Sequence, residues 1–371
     1  MPASAKILQL CPYLDDAHIH GGKIRANEIG SILKENSSTF EQKYLGPDAL
    51  DSVQTSEFLK GLPLSLVGDV NLLFNDFAAT FCPEFTPDIV VFEQPWLWRE
   101  VQKLREKYPE TKVIFSSHNI EYQLKELIFL DASINDGGRV SNYIRNLEKE
   151  ILNSVDEVWT TCEFDAIYFR TLTDTTIRVF QNGAKESNTT EIEVSPLHNP
   201  FLLVVGSGHP PNISGIKHYL SDLDKWMIGY GKLVIVGSLA TSAQEFFRNS
   251  VDNGDIVLIP TASKSLLKRL IDSCSAILLP VMYGSGTNLK TAEALVTDRK
   301  IISSETAMRG YEKFSTSTGV FVTNNAMEFK IACLGALLGP QHESYPREDS
   351  ETLHWQNTLS GISETLRELM K

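Results

Sequence analysis

Cysteine is scarce in this chain of 371 residues, which has only five. They stand at Cys11, Cys82, Cys162, Cys274 and Cys333, with no Cys-x-x-Cys and no Cys/His spacing suited to zinc. That pattern excludes a disulfide scaffold and a structural zinc site, and leaves reduced, mostly buried thiols as the expectation. Basic residues are also in deficit. Lys and Arg number 34 against 47 Asp and Glu, for a net charge of −13. Sequence-independent nucleic-acid binding rests on many Lys and Arg contacts to phosphate, so nucleic acid is not an expected partner. No apolar run approaches the roughly 20 residues of a membrane span, and the first residues hold no signal-peptide core. The expected location is therefore cytoplasmic, with membrane contact at most peripheral, at the cytoplasmic face. No Gly-x-Gly-x-x-Gly follows the first apolar run, which argues against an NAD dehydrogenase. Repeats and low-complexity tracts are missing too.

Enough apolar residues are present for a sizeable core, at 42% of the chain against 22% charged. Short apolar runs alternate with longer segments of helical period. Strands are expected at 6–11, 88–92 (DIVVF), 112–116 (KVIFS), 157–161 and 177–180. The polar stretch 182–200, with Asn-Gly and two prolines, reads as a domain linker. Beyond it, strands are expected at 201–205, 233–236, 255–259, 276–279, 300–303 and 319–322, with helices at 213–226, 265–271 and 289–296. β-Branched runs without polar alternation suit strands buried on both faces of a parallel sheet. Two such series imply two doubly wound α/β domains. The tail, 351–370, reads as one more helix with Leu359, Ile362 and Leu366 on its apolar stripe.

The most informative stretch is 279–295, LPVMYGSGTNLKTAEAL. An apolar strand ends at Pro280, a loop carries Gly284, Ser285 and Gly286, and Thr287 is expected to open a helix. Free N–H groups and the partial positive charge of a helix N-terminus suit a phosphate. Lys290 adds a full charge in the first turn. Glu293 lies one step further on, where a carboxylate accepts from a ribose diol. The plain alternative is an ordinary strand-to-helix turn with a surface carboxylate. Asp15 and Asp16 invite a metal reading, since paired carboxylates hold Mg or Mn in other sites, but they lack a strand-end setting and no metal is expected. Trp96 and Trp98 suit either an acceptor groove or simple packing.

These residues resemble the donor signature of the family 4 glycosyltransferases and their group 1 relatives. Pro280, Gly284 to Gly286, Lys290, Glu293 and Ala294 match its Gly-rich loop and Lys-x-x-Glu-Ala. Further pieces follow in matching order: His20, Gly21 and Gly22 as the first β–α loop, 117–121 (SHNIE) with His118, 179–183 (VFQNG), and 202–216 with Ser207 in its turn. The resemblance implies the GT-B fold, two facing Rossmann-like doubly wound domains with a C-terminal crossover helix. Residues 1–183 would form the acceptor-side domain, with a helix at 350–371 packing back on it, and 200–345 the nucleotide-sugar donor domain.

The implied activity is retaining transfer of a sugar from a nucleoside-diphosphate donor to a glycan, lipid-linked or small-molecule acceptor, with no metal and no other cofactor. His118 is the implied catalytic residue. Gly21, Gly22, Ser207, Ser285, Gly286, Thr287, Asn288, Lys290 and Glu293 are the implied substrate contacts. Two departures stand out. Ser285 occupies the position of the first glutamate in the family's Glu-x7-Glu pair, and the family's Arg and Lys pair is replaced by Ser207, His209 and Asn212. A nucleotide-sugar epimerase, or an inactive transferase-like binding partner, remains the alternative.

Overall fold

The computed structural model describes residues 5–14, 20–46, 53–185, 197, 199–340 and 343–371. Asp15, Asp16 and most of the segment 186–198 lie outside the described residues. The chain divides into two compact units, Met1–Gln181 with Thr358–Lys371, and Asn182–Asn357.

The first unit is built on β1 (Lys6–Leu14), β2 (Thr39–Leu45), β3 (Ile89–Glu93), β4 (Lys112–Ser116), β5 (Glu157–Thr160) and β6 (Thr176–Val179). Their order is β2-β1-β3-β4-β5-β6 and every ladder is parallel. The central strands are apolar on both faces because helices cover both faces. All five residues of β3 are buried, for example. Sequence patterning missed β2. It is an edge strand, TFEQKYL, mostly half-buried, and an edge needs no continuous apolar run.

The second unit holds β7 (Phe201–Val205), β8 (Lys232–Val236), β9 (Ile256–Ile259), β10 (Ala276–Leu279), β11 (Ile301–Ser303) and β12 (Val320–Val322). The order is β12-β11-β10-β7-β8-β9, again all parallel. In each sheet the chain runs outward from its first strand, then returns to that strand's other side. The reversal falls between β1 and β3 in the first unit, and between β7 and β10 in the second. Loops leaving the carboxyl ends of such strands diverge, which opens a crevice for a ligand.

Six helices carry the argument: α1 (Gly21–Glu35), α2 (Glu121–Asp131), α3 (Gly137–Leu152), α4 (Pro210–Tyr219), α5 (Leu289–Leu295) and α6 (Ile362–Leu369). The single helix expected at 213–226 is two, because the chain breaks at Asp222, which takes a left-handed φ of 59°. The expected tail helix is likewise three pieces, Ser350–Leu353, Trp355–Thr358 and α6, with an extended His354 between the first two. The first piece stays with the second unit, where the Ala184 N–H donates to the Leu353 carbonyl at 2.8 Å. From Thr358 onward the chain belongs to the first unit. There α6 packs on α1, Arg178 pairs with Glu368, and Leu359, Ile362 and Leu366 are fully buried. Burying side chains of this size contributes about 1.5–3 kcal/mol each.

Candidate functional site

In the second unit the switch point gathers most of the residues singled out from the sequence. After β10 the chain passes Pro280 into the glycine-rich loop. Gly286 has φ +68°, a left-handed conformation that a side chain would strain. Asn288, not Thr287, begins the helix: its side chain caps α5 by accepting from the Lys290 N–H at 3.1 Å. The loop is tied down on several sides. Ser304 Oγ donates to the Val281 carbonyl at 2.7 Å, Thr291 Oγ1 donates to the Ala307 carbonyl at 2.6 Å, and Asn182 Nδ2 donates to the Thr287 carbonyl at 3.2 Å. Tyr311 in turn donates to the Asn182 carbonyl at 2.9 Å.

The neighbouring loop after β7 joins this cluster. Asn212 donates to the Ser207 carbonyl at 3.0 Å, and the Gly208 N–H donates to Ser238 Oγ at 3.0 Å. Gly215 explains how closely α4 approaches. A Cβ at that position would lie 1.5 Å from the Pro280 carbonyl oxygen, so only glycine fits. Ser207 is exposed, whereas Ser285, Thr287, Asn288, Lys290 and Glu293 are half-buried and Gly286 is buried. Lys290 Nζ and Glu293 Oε2 form an ion pair at 2.7 Å. The cation and the carboxylate assigned to different parts of a ligand thus hold each other in this structure. Half-exposed pairs of this kind are worth about 0.2–1 kcal/mol, so a ligand can separate them at small cost.

At the first unit's switch point the structure joins His118 to residues that the sequence did not single out. Glu93 ends β3, fully buried, and is followed by Gln94 at φ +64°, a region that non-glycine residues avoid at a cost of about 1–3 kcal/mol. Glu93 Oε2 lies 2.8 Å from His118 Nε2, and His118 Nδ1 lies 3.2 Å from the Tyr13 hydroxyl. Gln9 Nε2 donates to the other Glu93 oxygen at 2.7 Å and to the Ala26 carbonyl at 3.0 Å. Gln42 donates to Gln9 at 2.8 Å. Burial alone would push the Glu93 carboxyl up, but His118, Ser116 and Arg25 together hold it below the usual range. Burial pushes the His118 imidazole down, Glu93 pulls it up and Arg25 pushes it down, and the balance is downward.

Tyr13 also touches the glycine pair. A Cβ on Gly22 would fall 2.6 Å from its hydroxyl oxygen, and its ring meets His20 edge-on at 4.6 Å. His20 caps α1 by accepting from the Lys23 N–H, and His20 and Gly21 are exposed. His118, Gly21 and Gly22 therefore belong to one local arrangement, with Tyr13 between them. A weak signal for Glu93 existed in the sequence, a carboxylate closing the apolar run IVVF. Nothing comparable marks Tyr13.

Behind His118 lies a second buried acidic group. Glu148 on α3 accepts from the Glu121 and Tyr122 N–H groups, at 2.7 and 3.2 Å, and so caps α2 from outside. Glu121 accepts from Asn119 at 2.9 Å, and burial pushes its carboxyl up to about 7. Trp96 and Trp98 are buried, and Trp98 Nε1 donates to Glu150 at 2.8 Å, so both take the packing role. The five cysteines are free, with Cys82 exposed and the rest buried. Among the described residues, no helix is long and apolar enough to cross a membrane and no group of three or more His, Cys, Asp or Glu is placed to hold a metal.

No protein-family model matches the sequence, and no curated protein matches it at the level of sequence. Solved structures do match over nearly the whole chain. A sucrose-phosphate synthase from Thermosynechococcus elongatus superposes with a TM-score of 0.71 at 14% identity, covering 98% of this chain and 99% of that one. A UDP-forming α,α-trehalose-phosphate synthase from Burkholderia xenovorans, in complex with glucose-6-phosphate, gives 0.69 at 12% identity, with 99% and 100% covered. The Anabaena protein HepE, in complex with UDP and glucose, gives 0.63 at 12% identity, with 98% and 100% covered. The likeness is one of fold: the two parallel six-stranded sheets with flanking helices are those of the GT-B glycosyltransferases.

Proposed function

We propose that the chain is a glycosyltransferase that moves a sugar from a nucleoside-diphosphate donor to a glycan, lipid-linked or small-molecule acceptor, retaining anomeric configuration and needing no metal. The observation that carries this reading is the second unit's switch point, where a left-handed Gly286, a capped α5, Lys290 and Glu293 stand together. Breaking the bond from the anomeric carbon to the diphosphate builds negative charge on the departing phosphate. Backbone N–H groups at the start of α5 would stabilise that charge, and the Lys290 ammonium would join them once a bound donor draws it from Glu293. Glu293 accepts from the ribose diol. Ser285, a neutral hydroxyl in place of a carboxylate, faces the donor sugar. Fold neighbours solved with UDP and glucose, or with glucose-6-phosphate, support a nucleotide-sugar donor and a small sugar acceptor.

The test is incubation of the full chain with UDP-, GDP- and ADP-sugars, with and without simple sugar and sugar-phosphate acceptors. Sugar transfer or slow donor hydrolysis that survives excess EDTA is the expected result. An epimerised donor would establish the epimerase alternative instead, and no turnover with any donor would refute the reading. Activity lost on chelation and restored by Mg or Mn would overturn its metal-free part.

A further inference from the structure

A helix that is apolar on every side is normally buried on every side. The second unit's helix Ala326–Leu338, AMEFKIACLGALL, has only two charged residues and breaks that rule. Phe329, Cys333, Ala336 and Leu337 pack inward with Leu278 and Ile302 of the sheet. The opposite side faces outward. There Met327, Ile331 and Leu338 are each at least half exposed, Leu334 is half-buried between them, and Gly335 is open beside them. The stripe 327, 331, 334, 338 advances by four, three and four residues, the spacing at which one helix receives the knobs of another.

Two further groups widen this surface. Phe321 pairs in register with Ile302, whose side chain lies in the same core as Phe329, so the exposed Phe321 stands on the helix's side of the sheet. On the other flank Lys330 Nζ lies over the Trp226 ring at 6.0 Å, and a Cβ on Gly231 would meet Leu337 at 2.6 Å. Those contacts bring the exposed Ile228 and Tyr230 alongside. The helix's own charges are engaged within the chain. Glu328 accepts from Thr323 Oγ1 at 2.6 Å, and Lys330 also donates to Ser221 Oγ at 3.3 Å.

We propose that this face docks a second copy of the chain, helix against helix about a twofold axis. The four-three-four stripe calls for a helix as its occupant. An antiparallel twofold sets Met327 against Leu338 and Ile331 against Leu334 across the interface, so the stripe is its own complement. It carries no cation to hold acidic lipid headgroups, and the net charge of −13 opposes them. The six exposed side chains offer on the order of 500 Å² per copy, at the upper end of what monomers leave in one patch. With the rim of the helix added, that reaches the low end of specific interfaces, about 600 Å² per partner. Such an interface gives a weak, reversible dimer.

The test is sedimentation equilibrium of the full chain. Dimer should be present at about 100 μM and dissociate on dilution to about 1 μM. Each copy repels the other through its net charge, so raising NaCl from about 0.05 to about 0.5 M should tighten the dimer. Ile331→Glu should weaken it about tenfold or more, and so should Leu338→Glu at the helix's exposed end. Both should keep the wild-type melting temperature at about 1 μM, below the dimer's range. Leu130→Glu, at an exposed leucine of the first unit, should leave the dimer unchanged. A chain still monomeric at about 100 μM would refute the proposal. So would a dimer that loosens with salt, or one that survives both substitutions within about twofold. Flotation with phosphatidylglycerol vesicles, lost in Ile331→Glu, would assign the face to a lipid surface and overturn the second copy as its occupant.

Discussion

Glu121→Gln should stabilise the protein above neutral pH and leave it nearly unchanged in acid. Glu121 opens α2 with 2% of its surface exposed. Burial is the largest cause of its raised carboxyl, with Asp69 and Asp165 adding repulsion and Asn119 and Lys125 opposing. The folded protein holds this proton up to about pH 7, whereas the unfolded chain releases it near its ordinary value of 4.5. Between those two values the folded state binds more protons than the unfolded state, so stability falls as pH rises. Over that window of about 2.5 units the loss is about 3 kcal/mol, at 1.36 kcal/mol for each unit. Below pH 4 both states are protonated and the term vanishes. Glutamine removes the titration and keeps an oxygen to accept from Asn119.

The assay is calorimetric unfolding of wild type and variant at pH 4, 6 and 8. The transition of the first unit should separate progressively, by about 6–12 °C at pH 8 for a domain of this size. The second unit's transition should not move. Glu148, which the negative charge of Glu121 helps push up, should relax downward in the variant, so the measured gain includes a share from that neighbour. Melting temperatures that stay parallel from pH 4 to 8 would refute the reasoning, because a buried carboxyl with an ordinary titration produces no pH-dependent gap.

Two further substitutions test how the sites are built. Gly215→Ala drives a methyl into the Pro280 carbonyl; it should destabilise the second unit by about 1–3 kcal/mol or more and weaken nucleotide binding, seen as a smaller thermal shift with UDP. Leu366→Ala should cost about 2–5 kcal/mol of first-unit stability, since the side chain has no exposure and α6 packs on α1; a loss confined to the second unit's transition would contradict that packing.

Most of the fold was legible because a strand covered on both faces has to be apolar throughout. The expected strands at 112–116, 201–205 and 276–279 coincide with β4, β7 and β10, and the others end within a few residues of the observed elements. The edge strand β2 escaped because most of its residues are only partly buried, so Glu41, Gln42 and Lys43 break the run without harming it. The helix breaks at Asp222 and His354 escaped because neither is a glycine or proline. The nucleotide-type loop could be read because its parts lie within 15 residues and its glycines announce a turn. The row of Tyr13, Glu93 and His118 could not, because its members are 80 and 25 residues apart and meet only when β1, β3 and β4 align in register. A buried polar residue within a strand leaves no periodicity behind it. Gly215 lies unmarked within the stretch 202–216; its requirement comes from contact with Pro280, which is distant in sequence.

The Lys290–Glu293 pair sets a condition on which anions the proposed donor site can hold. The protein carries a net charge of −13, so a diphosphate gains little from the overall field and must be attracted locally. In this structure the nearby ammonium is already spent on a carboxylate 2.7 Å away. A nucleoside diphosphate offers both members of the pair a new partner, phosphate oxygens for Lys290 and ribose hydroxyls for Glu293. Inorganic pyrophosphate offers a partner only to Lys290 and leaves Glu293 repelling it. The two ligands should therefore respond oppositely to Glu293→Gln. Binding of the nucleoside diphosphate should weaken by about 1–3 kcal/mol, the range for a hydrogen bond to a charged group. Pyrophosphate should bind more tightly, because the substitution removes a competing negative charge and frees the cation. Isothermal titration with UDP, GDP, ADP and pyrophosphate reads both effects. If both kinds of ligand weaken together, Glu293 acts only by shaping α5. If neither changes, the pair lies outside the donor site and the assignment of Lys290 and Glu293 fails.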